Sequence, residues 1–243
     1  MVTRKAHIAW LCLFIPVIVL SGWALQTLFN TTARITYQFE YRGDKQQFTL
    51  IIPLEDYRDY KERPRPSYDL ARADFYAYFA QYINMAIDSH DDGLIDSLVC
   101  RLDGIALAEG LSNQERANLA LSFVQSLTYA ADNATISLDE YPRYPVETLF
   151  EERGDCEDAS LLLAAIMTNM GYDVALLVFE DLDHIGLGIN FPVRYGNSWI
   201  YEGERYWYLD ASGTRPVGWC PEEYAQTAAY VYPLALRLSS TED

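Results

Sequence analysis

Apolar positions alternate along "RITYQFEY", where Ile35, Tyr37, Phe39 and Tyr41 share one face, and "QQFTLIIPL" follows after "RGDK". This pattern predicts a β-hairpin, with "RGD" acting as a turn rather than an integrin tripeptide. The charged stretch at 55–69, with its two prolines, predicts a connector. From Leu70 to about Asp88 the period lengthens: Phe75, Tyr78, Phe79, Tyr82, Ile83 and Ala86 recur at helical spacing until "HDDG" ends the run. A second helix over roughly 94–108 closes at Gly110, and Ser112 with Glu115 starts a third as a capping box. "DASLLLAAIMTNM" (158–170) is apolar almost all round and stops at Gly171, as a buried helix does. Beyond it the period becomes two. "DVALLVFE", "HIGLGINFPV", "SWIYEG" with "RYWYLDAS", and "AAYVYPLAL" predict four or five strands. Helices followed by a strand cluster imply an α+β domain with an antiparallel sheet.

The run at 6–29 is different in kind. It holds no Asp, Glu, Lys or Arg, His7 is its only basic side chain, and its length suffices to span a bilayer, with Pro16 a tolerable kink. Arg4 and Lys5 on the short side predict a cytoplasmic N-terminus and an outward-facing remainder. A signal peptide cleaved near "TTA" is the alternative, but the apolar run is long for one, which favours an uncleaved anchor. The expectation is a single-pass protein of the cell membrane.

Half of the 243 residues are hydrophobic and 19 are tyrosine, so a sizeable core is expected. The net charge of −17 argues against a nucleic-acid partner, whose phosphates would be repelled. Of four cysteines, Cys12 lies in the anchor. Cys100, Cys156 and Cys220 would face an oxidising side, where an odd count suggests one pair and one free thiol. If Cys156 is free, Cys100–Cys220 is the available disulfide. Asn30 and Asn133 stand in N-x-T sequons, Asn30 too near the membrane to be modified.

Chemistry concentrates in "ERGDCEDASLLL". Cys156 opens the buried helix between acids, His184 opens a following strand, and Asp210 closes a later one. Antiparallel strands can bring such ends together. Cys156 as a thiolate would attack an acyl carbon, favoured by the partial positive charge of the helix N-terminus. His184 would hold the proton and deliver it to the leaving amine, while Asp210 fixes the imidazole tautomer. Each residue also has a structural reading: a core cysteine, a structural histidine, a turn-forming aspartate.

"FVQSLTYAAD", then "YPRYPVETLFEERGDCEDASLLLAAIMTNMGYDV", His184 and "YWYLDAS" closely resemble the transglutaminase-like cysteine-protease superfamily, in its microbial, membrane-anchored branch. The resemblance covers about 112–212 and places the family's cysteine, histidine and acid on Cys156, His184 and Asp210. It implies a rearranged relative of the papain fold, with a cysteine-bearing helix packed on an antiparallel sheet. Family members place an oxyanion donor in the preceding helix or loop, which points to Gln125 or Tyr129, beside the backbone N–H of Cys156. Tyr141, Tyr144 and Glu147 are expected in the cleft wall. Asp155, Glu157 and Asp158 offer oxygen ligands to calcium, on which some relatives depend; helix capping is their other role. No cofactor is otherwise required. The expected organisation is a cytoplasmic tail (1–5), anchor (6–29), hairpin-and-helix extension (30–110) and catalytic domain (111–243).

The expected function is a cysteine peptidase or amidase acting on protein or peptide substrates through a thioester. Transamidation by the same triad, and a non-catalytic binding module on the same scaffold, are the alternatives.

Overall fold

In the computed structural model the described residues are 31–66, 74–130, 141–193 and 195–234. The expected anchor at 6–29, His7, Cys12 and both sequon asparagines lie outside them. Among the described residues no helix is long and apolar enough to cross a membrane.

Strands β1 (Thr32–Tyr41) and β2 (Asp44–Pro53) form the expected hairpin, paired from Thr32↔Pro53 to Tyr41↔Asp44. Its two turn residues, Arg42 and Gly43, both take positive φ, the geometry whose twist matches a two-residue hairpin. Alternation then puts Tyr37, Phe39, Phe48 and Leu50 on the buried face. The rings of Tyr37, Phe39 and Phe48 close around Phe123 at centroid distances of 5.4, 5.7 and 5.1 Å.

The expected connector at 55–69 is corrected in its first half. Residues Leu54–Glu62 form helix α1. Charge obscured it, because only Tyr60 is fully buried while Arg, Asp, Lys and Glu occupy the wet side. The helix stops where Arg63, extended at φ −68° and ψ 147°, precedes Pro64. Helices α2 (Phe75–Ala86), α3 (Asp92–Ala108) and α4 (Asn113–Gln125) follow the expected periodicity. The Ser112–Glu115 capping box is present on α4.

Two short pairs then set up the site. β3 (Thr128–Tyr129) lies parallel to β4 (Arg153–Gly154), with the short helix α5 (Pro145–Glu151) between them in sequence. Helix α6 (Cys156–Asn169) starts two residues after β4. It ends in a Schellman closure, Tyr172 N–H to Met167 O and Gly171 N–H to Thr168 O, with Gly171 at φ +82°. Ten of its residues are buried because α2, α3, α4, α5 and the sheet surround it.

The sheet is antiparallel, in the order β7 (Ser198–Tyr201), β8 (Glu204–Leu209), β6 (His184–Ile189), β5 (Val174–Phe179), β9 (Tyr230–Pro233). The four or five expected strands are present as five, so the architecture is α+β. Leu176, Val178, Ile185, Leu187 and Leu209 belong to the main core on the α6 side, while Leu177, Phe179 and Tyr208 form a second cluster with Trp199, Cys220 and Tyr224. The main core runs without a break from Tyr37 to Leu234. It therefore includes both the segment expected as an extension and the one expected as the catalytic domain.

Candidate active site

Cys156 is the first residue of α6, immediately after the N-cap. Asp155 accepts from the Asp158 N–H at 3.2 Å, and Asp158 reaches back to the Asp155 N–H at 3.3 Å, a reciprocal cap. One helical turn on, Ser160 Oγ donates to the Ile185 carbonyl at 3.1 Å. Residues four apart share a helix face, so this bond holds Cys156 against the start of β6, where His184 lies. Glu157 and His184 line one cavity of about 150 Å³ in front of that strand.

Side chains at this mouth have specific partners. The Cys156 thiol donates to Glu157 Oε2 at 2.9 Å. The His184 ring nitrogen Nε2 shares a proton with the Tyr208 hydroxyl at 2.9 Å. The imidazole is also stacked on Tyr224, with centroids 4.4 Å apart and planes 12° apart. Among the described residues no hydrogen bond joins Cys156 to His184. Asp210 acts on His184 electrostatically, and its Oδ1 accepts from Ser212 N–H, Ser212 Oγ and Gly213 N–H in a tight turn.

These surroundings correct the expectation of a standing thiolate. Burial pushes the Cys156 thiol well up, the charge and hydrogen bond of Glu157 and the charge of Asp155 push it further, and a hydrogen bond from the Ile185 backbone opposes them. The half-charge of the helix end is outweighed by desolvation together with an adjacent carboxylate. Burial also lowers the proton affinity of His184, against the pull of Asp210 and Glu223. Both shifts favour the uncharged form of each group, thiol for Cys156 and neutral imidazole for His184.

Other expected residues fall in different places. Gln125 is not an oxyanion donor: its Nε2 donates to the carbonyls of Asp210 at 2.7 Å and Arg215 at 2.8 Å, fastening the loop after β8 to α4. Tyr129 pairs in register with Gly154 and feels the charges of Cys156, Asp155 and Glu157, so it stands at the mouth. Tyr141, Tyr144 and Glu147 do not line the cavity. Glu147 is 0 % exposed, caps the Tyr144 N–H at 2.9 Å and takes Arg65 at 2.6 Å, while Tyr141 donates to Glu147 and accepts from Arg65. Pro145 at N1 with Glu147 at N3 makes a helix start there, which turns the carboxylate inward.

The carboxylates around Cys156, expected as oxygen ligands for calcium, have partners within the protein. Asp158 is buried and bound to the backbone N–H and guanidinium of Arg143, and Glu157 accepts from the thiol. Among the described residues no group of three or more His, Cys, Asp or Glu side chains is arranged to hold a metal ion. The Cys100–Cys220 disulfide is corrected: Cys100, Cys156 and Cys220 are all free. Cys100 borders a groove between β2 and α3, whereas Cys220 packs on the second cluster behind the sheet. The sequence reading missed Tyr208 and Tyr224. The alternation of "RYWYLD" carries a signal for the first, since Tyr208 and Asp210 fall on one face.

Fold and site together define an α+β protein with a cysteine-led helix packed on an antiparallel sheet and a histidine at the adjoining strand start. The chain matches no protein-family model and no curated protein. Among solved structures it is similar to Legionella pneumophila LapG, with a TM-score of 0.40 and 17% identity over 63% of this chain and 82% of that one. The EGTA-treated form gives 0.39 at 17%, over 63% and 80%, and the calcium-bound form 0.31 at 18%, over 55% and 83%. At such scores no residue's role in this chain rests on the likeness.

Proposed function

We propose that the chain is a thiol acyl-transfer enzyme, a cysteine peptidase or amidase acting on a protein amide bond through Cys156, His184 and Asp210. The observation that carries this reading is the shared mouth: the carboxylate that holds the Cys156 thiol lines the same cavity as His184. In the reaction the thiol leaves Glu157, gives its proton to His184, and the sulfur attacks the carbonyl carbon. A carbon–sulfur bond forms, the amine departs with the proton from His184, and a thioester remains on Cys156. Water, deprotonated by His184, then releases the acid and restores the thiol. With Nε2 on the Tyr208 hydroxyl, Nδ1 is the nitrogen that serves the sulfur. The Cys156 backbone N–H is the proposed oxyanion donor. Transfer to an amine in place of water uses the same groups, and acceptor access decides between them. The residues at 6–29 are proposed to anchor the enzyme, with its site outside the cytoplasm.

A second reading, a binding module without turnover, is favoured by one observation: thiol and imidazole are each bonded to other partners. The two readings separate on treating the full-length chain with a chromogenic acyl ester. The enzyme reading expects one equivalent of rapid release and a hydroxylamine-labile adduct on Cys156, lost in Cys156→Ser. Release no faster than from Cys156→Ser would leave the binding module. Product analysis with and without a primary amine then divides hydrolysis from transfer.

A further inference from the structure

The cavity in front of His184 combines two chemistries. Its walls are aromatic, with Phe75 and Phe79 of α2 facing the sheet, and its acidic members are Glu157, Glu180 and Asp183. Among the described residues no lysine or arginine lines it. Its volume of about 150 Å³ has room for several waters, or for the end of one extended side chain.

We propose that this cavity is a specificity pocket for a lysine or arginine side chain of the protein substrate, held beside the bond that Cys156 attacks. The proposal rests on the acyl-transfer reading above. An extended basic side chain fits both halves of the lining. Its hydrocarbon stem covers the phenyl rings, and its cationic head meets ring faces and carboxylates. An acidic side chain would be repelled by all three carboxylates. A neutral one would displace water from Glu157 and return no charge-assisted hydrogen bond. Glu180 and Asp183 are exposed at the rim and Glu157 is deeper, so attraction grows as the head moves inward. The net charge of −17 works in the same direction at long range, favouring encounter with a basic segment.

The test uses the full-length chain and two readouts. The first is the rate of Cys156 alkylation by lysyl, leucyl and glutamyl chloromethyl ketones, located by mass spectrometry. The second is calorimetric binding of agmatine and of n-butanol to the Cys156→Ala chain. Expected are alkylation about tenfold faster with the lysyl reagent than the leucyl one, and binding of agmatine but not n-butanol. Glu180→Gln with Asp183→Asn should cut the lysyl advantage about 2- to 5-fold. Equal rates with all three reagents and no agmatine binding would overturn the pocket while leaving Cys156 reactive and the enzyme reading intact. Agmatine binding with Cys156 inert to every reagent would uphold the cation pocket and remove the enzyme. Inertness and no binding would remove both.

Discussion

The Tyr208 hydroxyl lies 2.9 Å from Nε2 of His184: β8 pairs directly with β6, and from its place opposite Gly188 the tyrosine reaches back along β6, over Gly186, to the histidine. A Cβ at Gly186 would come within 2.6 Å of the Tyr208 ring, so glycine there is what lets the tyrosine reach the histidine. Tyr208 is fully buried, and its phenol is pushed strongly up by burial and by Asp210, so it stays neutral as a hydrogen-bonding group. It positions the imidazole.

Tyr208→Phe keeps the packing and removes that bond. A buried ring nitrogen left unpaired costs about 1–3 kcal/mol, so acylation should slow about tenfold or more at little change in KM. The acid limb of the pH–rate profile should also move, which a purely structural defect would not produce. Steady-state kinetics across pH provide the check.

Glu157→Gln should make Cys156 more reactive. The carboxylate raises the thiol's proton affinity by charge and by hydrogen bond, so the amide lowers it. At any pH below the thiol's titration more thiolate is then present, about tenfold for each pH unit of the shift. Iodoacetamide labelling of Cys156 should accelerate, and its pH midpoint should fall. An unchanged midpoint would show that Glu157 does not hold the thiol.

Asp91 makes the chain less stable at alkaline pH. It is 4 % exposed, its Oδ2 lacks a hydrogen-bond partner, and burial with Asp88 and Asp92 raises it from 3.8 to about 8. Between those values the folded state keeps a proton that the unfolded state has lost. Stability from this group is therefore complete below about pH 4 and lost as pH rises through about 8. Asp91→Asn should raise the urea midpoint at pH 8.5 and change it far less at pH 4.5.

Arg143→Met strips the partner from a carboxylate that has no exposed surface. Asp158 would lose its guanidinium contact while remaining buried at the start of α6. Breaking one side of a buried pair costs about 3–5 kcal/mol, measurable as a shift of the denaturation midpoint. Arg143→Met with Asp158→Asn should recover part of the loss.

Much of this architecture was legible as periodicity. The hairpin, the helices from Phe75 onward and all five strands of the sheet follow from which positions are apolar, because burial on one face dictates them. Helix α1 was hidden because one fully buried side chain, Tyr60, among charged neighbours leaves no period to read. The short α5 was hidden because its signal is a proline and a cap, and Glu147 was misread as a cleft residue for the same reason. In the site, single residues at helix and strand starts located Cys156 and His184. The partners did not follow, since cross-strand neighbours such as Tyr208 depend on register. Nor did the state of the thiol, which burial decides and no motif records.

The pairing of Cys156 with His184 is tested most directly by the rate of Cys156 alkylation by iodoacetamide from pH 5 to 10 in full-length wild-type, His184→Ala and His184→Gln chains. If the two residues work together, the wild-type rate rises through the titration of His184. Both variants should then lose about tenfold or more near neutral pH, the usual worth of a general base being larger still. Identical profiles in all three chains, with reaction only at strongly alkaline pH, would contradict it.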